Sequence, residues 1–374
     1  MSIQKVIAIS LLATVGLASC NKDDDDDNNP SPSIPNNYSS NNFEANAASQ
    51  IELGDELEAL ASKIGEGDDG SKLDQSEVDA LYTSGLKGGG TFDYTNFIES
   101  DVLPLVGPES GQSWDVVTNP DSGGGVFAGR FLSYTGLEHK QLVEKAYFMG
   151  GHYIQAYSIA YDDGFSSTDV DKLLALFGTT PNFPMGASNA QVSDRFSAKY
   201  AARRTPETGG FYLDARKALI IAKYHLDNGA SPDAFEVRDQ IDNFFAAWEK
   251  SIAATAINYM YSTLDVITKS NPTDEELANA LHAHSEAVAF ILGAYQLPSG
   301  EYLIASDSQL ESVLSLLKFN DINYDNSDAY LFASEPNDHY LDISIAMDQL
   351  KETYNFTDDQ MESFKINWVN EDNR

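Results

Sequence analysis

The chain has 374 residues, with 58 acidic side chains against 23 basic ones and a formal net charge of -35. Such a surface repels phosphate backbones, which argues against nucleic acid as a partner, and it keeps a protein soluble. The one cysteine, Cys20, excludes an intrachain disulfide and a CxxC zinc site.

Lys5 and the apolar run over residues 6–15 read as a signal peptide, too short to span a bilayer. Leu17-Ala18-Ser19-Cys20 then resembles the bacterial lipobox. That resemblance implies cleavage over residues 1–19 and acylation of Cys20, which becomes a membrane anchor and is lost as a nucleophile. Asn21 rather than Asp follows the cysteine, and Lys22 precedes the run Asp23 to Asp27. This pattern resembles a surface-export signal, so the expected address is the outer membrane, lipid-anchored and facing the cell surface. Residues 20–42 are rich in Asp, Asn, Ser and Pro and read as a flexible linker, with order starting near Phe43.

From there the periodicity is helical. Leu53, Leu57, Leu60 and Ile64 share one face, and Gly65 to Gly70 breaks the pattern. Asp74 with Glu77 predicts a capping box opening a short helix through Val78 and Leu81. After the loop Gly88-Gly89-Gly90, residues 92–105 predict a helix stopped at Pro104 or Pro108. Residues 107–130 are the least regular, with Trp114 to Val117 a candidate short strand and Gly123-Gly124-Gly125 a turn rather than a phosphate loop. Residues 137–161, 170–177, 191–203 and 211–226 predict helices. Pro232 opens the longest segment, to about Ser270, with Phe244, Phe245, Trp248 and Ile252 on its buried stripe. Asn271-Pro272-Thr273 caps a helix over 274–295, and the tail adds helices near 307–319, 338–352 and 357–367. The expected fold is all-α, as two packed helical bundles within 43–374, about 43–230 and 231–374.

The 274–295 helix carries the most chemistry. It is apolar on every side, as a buried helix is, yet it holds Asn279, His282, His284, Ser285 and Glu286. His282 and Glu286 are four apart and share a face. They can hydrogen-bond each other, or grip one cation. Glu138, His139, Gln141, Glu144 and Lys145 form a second polar set in the 137–161 helix. Buried charge needs partners, so Glu144 is expected to approach His282 and Glu286, with Lys145 or Glu138 nearby. Lys145 in the middle makes the cluster structural. Open space between Glu144, His282 and Glu286 suits a divalent metal or iron. Asp214-Ala215-Arg216-Lys217 reads as a helix start with solvated charge, and Trp248-Glu249-Lys250 as a core tryptophan beside an undecided carboxylate. The acidic stretch Gly65 to Glu77 fails the EF-hand spacing, because Ser76 falls where the bidentate Glu belongs. No GxSxG, HExxH or dinucleotide fingerprint occurs.

Gly136-Leu137-Glu138-His139-Lys140-Gln141-Leu142-Val143-Glu144-Lys145 resembles a stretch of an uncharacterised lipoprotein family, domain of unknown function 4856. Phe177-Gly178, Pro181, Phe183, Arg195-Phe196, Lys199-Tyr200, Asp214 to Ala218, Trp248-Glu249-Lys250 and His282 to Glu286 resemble its later parts in order. That family is similar to imelysin-like lipoproteins, which are helical and associated with iron uptake. The resemblance implies a non-enzymatic binding component in iron or other metal acquisition, partnered by an outer-membrane receptor. Its rivals are a metal-dependent peptidase and a scaffold without a small ligand. The chain departs from the imelysin Gly-x-His-x-x-Glu motif: neither His282 nor His284 has the glycine, and His282 and Glu286 are four apart rather than three.

Overall fold

Helical periodicity and proline–glycine punctuation translate into an all-α body. The computed structural model describes residues 33–86, 97–120, 123–187, 193–295, 297, 304–320 and 323–374. The expected signal peptide, Cys20, the Asp23–Asp27 run, most of the expected linker and the expected Gly88–Gly90 loop lie outside the described residues. Residues 34–374 form one compact unit.

In chain order the helices are α1 (Phe43–Asn46), α2 (Ala48–Gly65), α3 (Gln75–Ser84), α4 (Leu103–Glu109), α5 (His139–Tyr147), α6 (Ile154–Ala160), α7 (Asp169–Phe177) and α8 (Phe196–Arg203). There follow α9 (Phe211–Asp227), α10 (Phe235–Ile267), α11 (Asp274–Tyr295), α12 (Asp307–Leu316), α13 (Leu331–Ser334), α14 (Pro336–Tyr354), α15 (Asp358–Phe364) and α16 (Trp368–Glu371). A π-helical stretch, Phe148–Tyr153, joins α5 to α6, so the expected 137–161 helix is continuous but locally widened. α9 packs along α10. Among the described residues, no helix is long and apolar enough to cross a membrane.

Several local expectations needed correction. Asp74 caps α3 by accepting from Ser76 N, but Glu77 does not close a capping box; it pairs with Lys63 at 2.7 Å. The helix near residue 100 runs through Pro104 and ends at Glu109, one residue past Pro108. A π-helical turn over Ile98–Val102 restarts the helix at Leu103, which puts Pro104 in a first turn that needs no N–H partner. Trp114 to Val117 is not a strand, because the Asp115 carboxylate accepts from the N–H groups of Val117 and Thr118 and turns the chain. A short hairpin, expected near residues 107–130, does form, as Gly125–Phe127 (β1) against Arg130–Leu132 (β2). Its two-residue turn, Ala128 and Gly129, has φ of 43° and 85° at both positions, as a type I′ turn requires. α8 begins at Phe196 and does not include residues 193–195, since Arg195 is extended and donates its N–H to Gly178 O; Gln191, the expected start, lies outside the described residues. Pro232 lies outside α10, whose first residue is Phe235.

The core is continuous. Trp248 is fully buried between Tyr153, Phe177 and Phe244, whose rings approach it at 5.1–5.6 Å. α11 lies inside, with Leu281, Val288, Phe290 and Leu292 at 0 % exposure. It reaches α5 closely because residue 293 is glycine: a Cβ there would sit 2.4 Å from Ala146 O.

Order begins earlier than Phe43. Tyr38 is buried, and its hydroxyl donates to Asp171 at 2.7 Å, joined by Ser40 Oγ and Asn46 Nδ2 at the same distance. Three donors on one fully buried carboxylate pin residues 38–46 to α7. Asp171→Ala is expected to strand these donors and free the segment. Limited proteolysis should then cut within residues 34–46 at least tenfold faster, while the far-ultraviolet circular dichroism stays unchanged. Equal cutting rates would show that apolar contacts hold the segment without Asp171.

Candidate functional site

The site is built where the N-terminus of α5 meets the middle of α11. Glu138 is the N-cap residue of α5, but its carboxylate does not cap. The cap is supplied differently: Glu138 N–H donates to Ser285 Oγ at 2.8 Å, and Ser285 Oγ donates to Leu281 O. The Glu138 carboxylate is therefore free to face α11. One oxygen takes the Nδ1–H of His282 at 2.6 Å, and the other takes Gln141 Nε2 at 2.9 Å. Burial pushes the Glu138 carboxyl up, but the His282 bond and charge, Gln141 and Arg130 outweigh it and hold it below the usual value.

Arg130, carried in by β2, closes the outer edge. Its Nη2 donates to Asn279 Oδ1 at 2.8 Å, and its Nη1 lies 3.1 Å from His282 Nδ1. Because that Nδ1 already donates to Glu138, the guanidinium acts there by charge rather than by a hydrogen bond.

Deeper in, Glu286 is 4 % exposed. Its Oε2 lies 3.6 Å from His282 Nε2, too long for a hydrogen bond. Tyr200 donates to its Oε1 at 3.3 Å, and the Tyr259 hydroxyl also bonds it. Lys145 sits between the two carboxylates expected to share a cation. Its Nζ is 2.7 Å from Glu144 and 3.6 Å from Glu286, over the rings of Phe148 and Tyr200. Burial pushes this ammonium's pKa down, and the charges of Glu144 and Glu286 with the Glu144 bond reverse that and hold it raised.

Three predicted site residues thus belong to one cluster, but not as a three-ligand set. His282 and Glu286 are neighbours. Glu144 reaches Glu286 only through Lys145, and the carboxylate that touches His282 is Glu138. Among the described residues, no group of three His, Cys, Asp or Glu side chains is disposed to hold a metal ion. The acidic stretch before α3 is likewise dispersed: Asp68 accepts Phe131 N–H, Asp69 binds Ser71, and Glu66 and Glu77 pair with Lys63.

Chemically, a carboxylate–imidazole pair resembles half of a general-base device. The outward nitrogen is the test, and His282 Nε2 faces Glu286 rather than a hydroxyl or thiol. The nearby Ser285 hydroxyl is already bonded on both sides. His284, on the opposite face of α11, points into the core, donating Nε2–H to Leu317 O at 2.9 Å. Glu249 is also structural: it accepts from the N–H groups of Ile304 and Ala305 and from Tyr354 Oη, holding the entrance to α12.

Sequence reasoning missed Arg130, Tyr200 and Tyr259 as members. Arg130 stands alone in an irregular stretch, and both tyrosines sit among core aromatics, so no local pattern marks them. Compared with family models, with curated proteins and with solved structures, the chain has no match.

Proposed function

We propose that this chain is a lipoprotein held at the outer membrane by acylated Cys20 and displayed at the cell surface as a non-enzymatic binding component. One observation carries the reading of its central cluster. The cation between Glu144 and Glu286 is the protein's own Lys145, and the carboxylate bonded to His282 is Glu138. Any part in iron or other metal uptake then runs through contact with a receptor, not through coordination by Glu144, His282 and Glu286.

Two measurements test this. Labelled palmitate should enter the wild type and not Cys20→Ser; equal labelling would remove the anchor from the reading. Protein purified natively should carry far less than one equivalent of iron or zinc, with Glu286→Gln no different. A stoichiometric metal that Glu286→Gln loses while staying folded would restore the metal-binding reading and refute this one.

A further inference from the structure

A trough runs along the outer side of the α9–α10 pair. It encloses about 380 Å³, at the lower end of ligand-pocket sizes. From α9 it takes Asp214, Lys217, Ala218 and Ile221, which recur at helical spacing on one face. From α10 it takes Gln240, Asn243, Ala247 and Lys250, again one face. Two stretches that looked like solvated charge and a core tryptophan's neighbourhood are therefore brought together across one opening.

Its three charged side chains have no assigned work. Among the described residues, Asp214, Lys217 and Lys250 make no side-chain hydrogen bond and no ion pair within 4 Å, unlike the paired lysines elsewhere on the molecule. Asp214 is nonetheless within electrostatic reach of both lysines. Burial pushes its carboxyl up, and Lys217 and Lys250 oppose that. Gln240 and Asn243 each donate an amide N–H to Asp239 and retain a carbonyl oxygen as acceptor. Ala218, Ala246, Ala247 and Ile221 supply small apolar surface between these polar points.

We propose that this trough binds a small zwitterion with an apolar side chain, an α-amino acid or a dipeptide. Asp214 and the amide carbonyls take its ammonium, Lys217 and Lys250 take its carboxylate, and its side chain lies on the alanines and Ile221. The charge pattern selects this class. A simple anion would be set against Asp214, a simple cation against two lysines, and a neutral sugar would desolvate all three charges without a counter-charge. The inference goes beyond the anchored-protein reading and does not depend on it, since neither Lys145 nor Glu286 lines the trough.

Calorimetric titration of the purified chain with leucine and leucyl-leucine tests it. Matched controls are 4-methylpentanoate, which lacks the ammonium, and isoamylamine, which lacks the carboxylate. At least one zwitterion should bind, and each half should bind at least tenfold more weakly. Asp214→Asn and the double variant Lys217→Met/Lys250→Met should each weaken binding at least tenfold. All the altered side chains lie outside the core, so circular dichroism should show both variants folded. The proposal is overturned if the folded wild type binds neither zwitterion, if the carboxylate alone binds as well, or if binding survives both variants.

Discussion

Lys145→Met should destabilise the protein by about 3–5 kcal/mol, the cost of leaving a buried carboxylate without its counter-charge. Methionine keeps most of the lysine's apolar length, so the contact with Phe148 and Tyr200 survives and the loss isolates the charge. What remains is Glu286, 5 % exposed by side chain, with two tyrosine hydroxyls and a histidine at 3.6 Å. Glu144, at 19 % exposure, can turn toward water, so the penalty falls mainly on Glu286. Adding Glu286→Gln should therefore recover most of the loss, since an amide needs no cation. The lysine's raised pKa fixes the sign of the pH dependence. Its contribution is complete below the ordinary lysine value and is lost only as pH rises through the raised one. Urea midpoints of the wild type and both variants at pH 8 decide the matter. A Lys145→Met protein within 1 kcal/mol of the wild type would mean that the ammonium is not the keystone of the cluster.

How far the sequence could be read depended on the range of the interaction involved. α9 and α11 were legible almost to the residue, because a helix boundary is set by neighbours in the chain. Thr273 and Glu276 cap one another at the start of α11, as residues three apart can. Boundaries failed where a distant partner intervened. Arg195 is extended because its N–H goes to Gly178 and its guanidinium to Asp55 and Glu58. The order over residues 38–42 was illegible because Asp171 is more than 125 residues away. A polar segment reads as a linker until its buried acceptor is known.

The cluster shows the same division. That the polar set of α11 must meet that of α5 followed from the desolvation cost of buried charge. Which acid meets which base did not follow. Glu138 and Glu144 are both compatible with a pairing to His282, and the choice is made by the Ser285 hydroxyl. By accepting Glu138 N–H it fixes the start of α5 and aims that carboxylate at the imidazole. The hairpin decides the other edge, since only the Ala128–Gly129 turn brings Arg130 back over Asn279. Neither contact leaves a trace in residue spacing.

Acid should begin to weaken this protein near pH 6.5, and two core histidines carry that loss. His284 and His152 are both fully buried. Burial lowers His284 to about 4, with the Leu317 bond opposing, and lowers His152 to about 3, with Arg195 adding to it. Neither nitrogen of His152 has a hydrogen-bond partner among the described residues, and the ring sits between Tyr147, Phe148 and Phe196. In both cases the folded chain binds a proton more weakly than the unfolded chain, whose histidines titrate near 6.5. Stability is therefore complete above pH 6.5 and falls as the pH drops from there toward 4 and then 3. At about 1.4 kcal/mol per unit, each histidine withdraws roughly 3 kcal/mol by pH 4. His152→Leu removes one of these titrations and two orphaned nitrogens with little change in volume. The variant should match or exceed the wild type at pH 7.5, where orphaned buried groups alone cost on the order of 1–3 kcal/mol. The gap should then widen by roughly 3 kcal/mol between pH 6.5 and pH 4. Denaturant unfolding of both proteins at half-unit steps across that range reads the slope directly. Parallel curves would show that the His152 ring is reached by water or a partner and is not held neutral by the aromatic core.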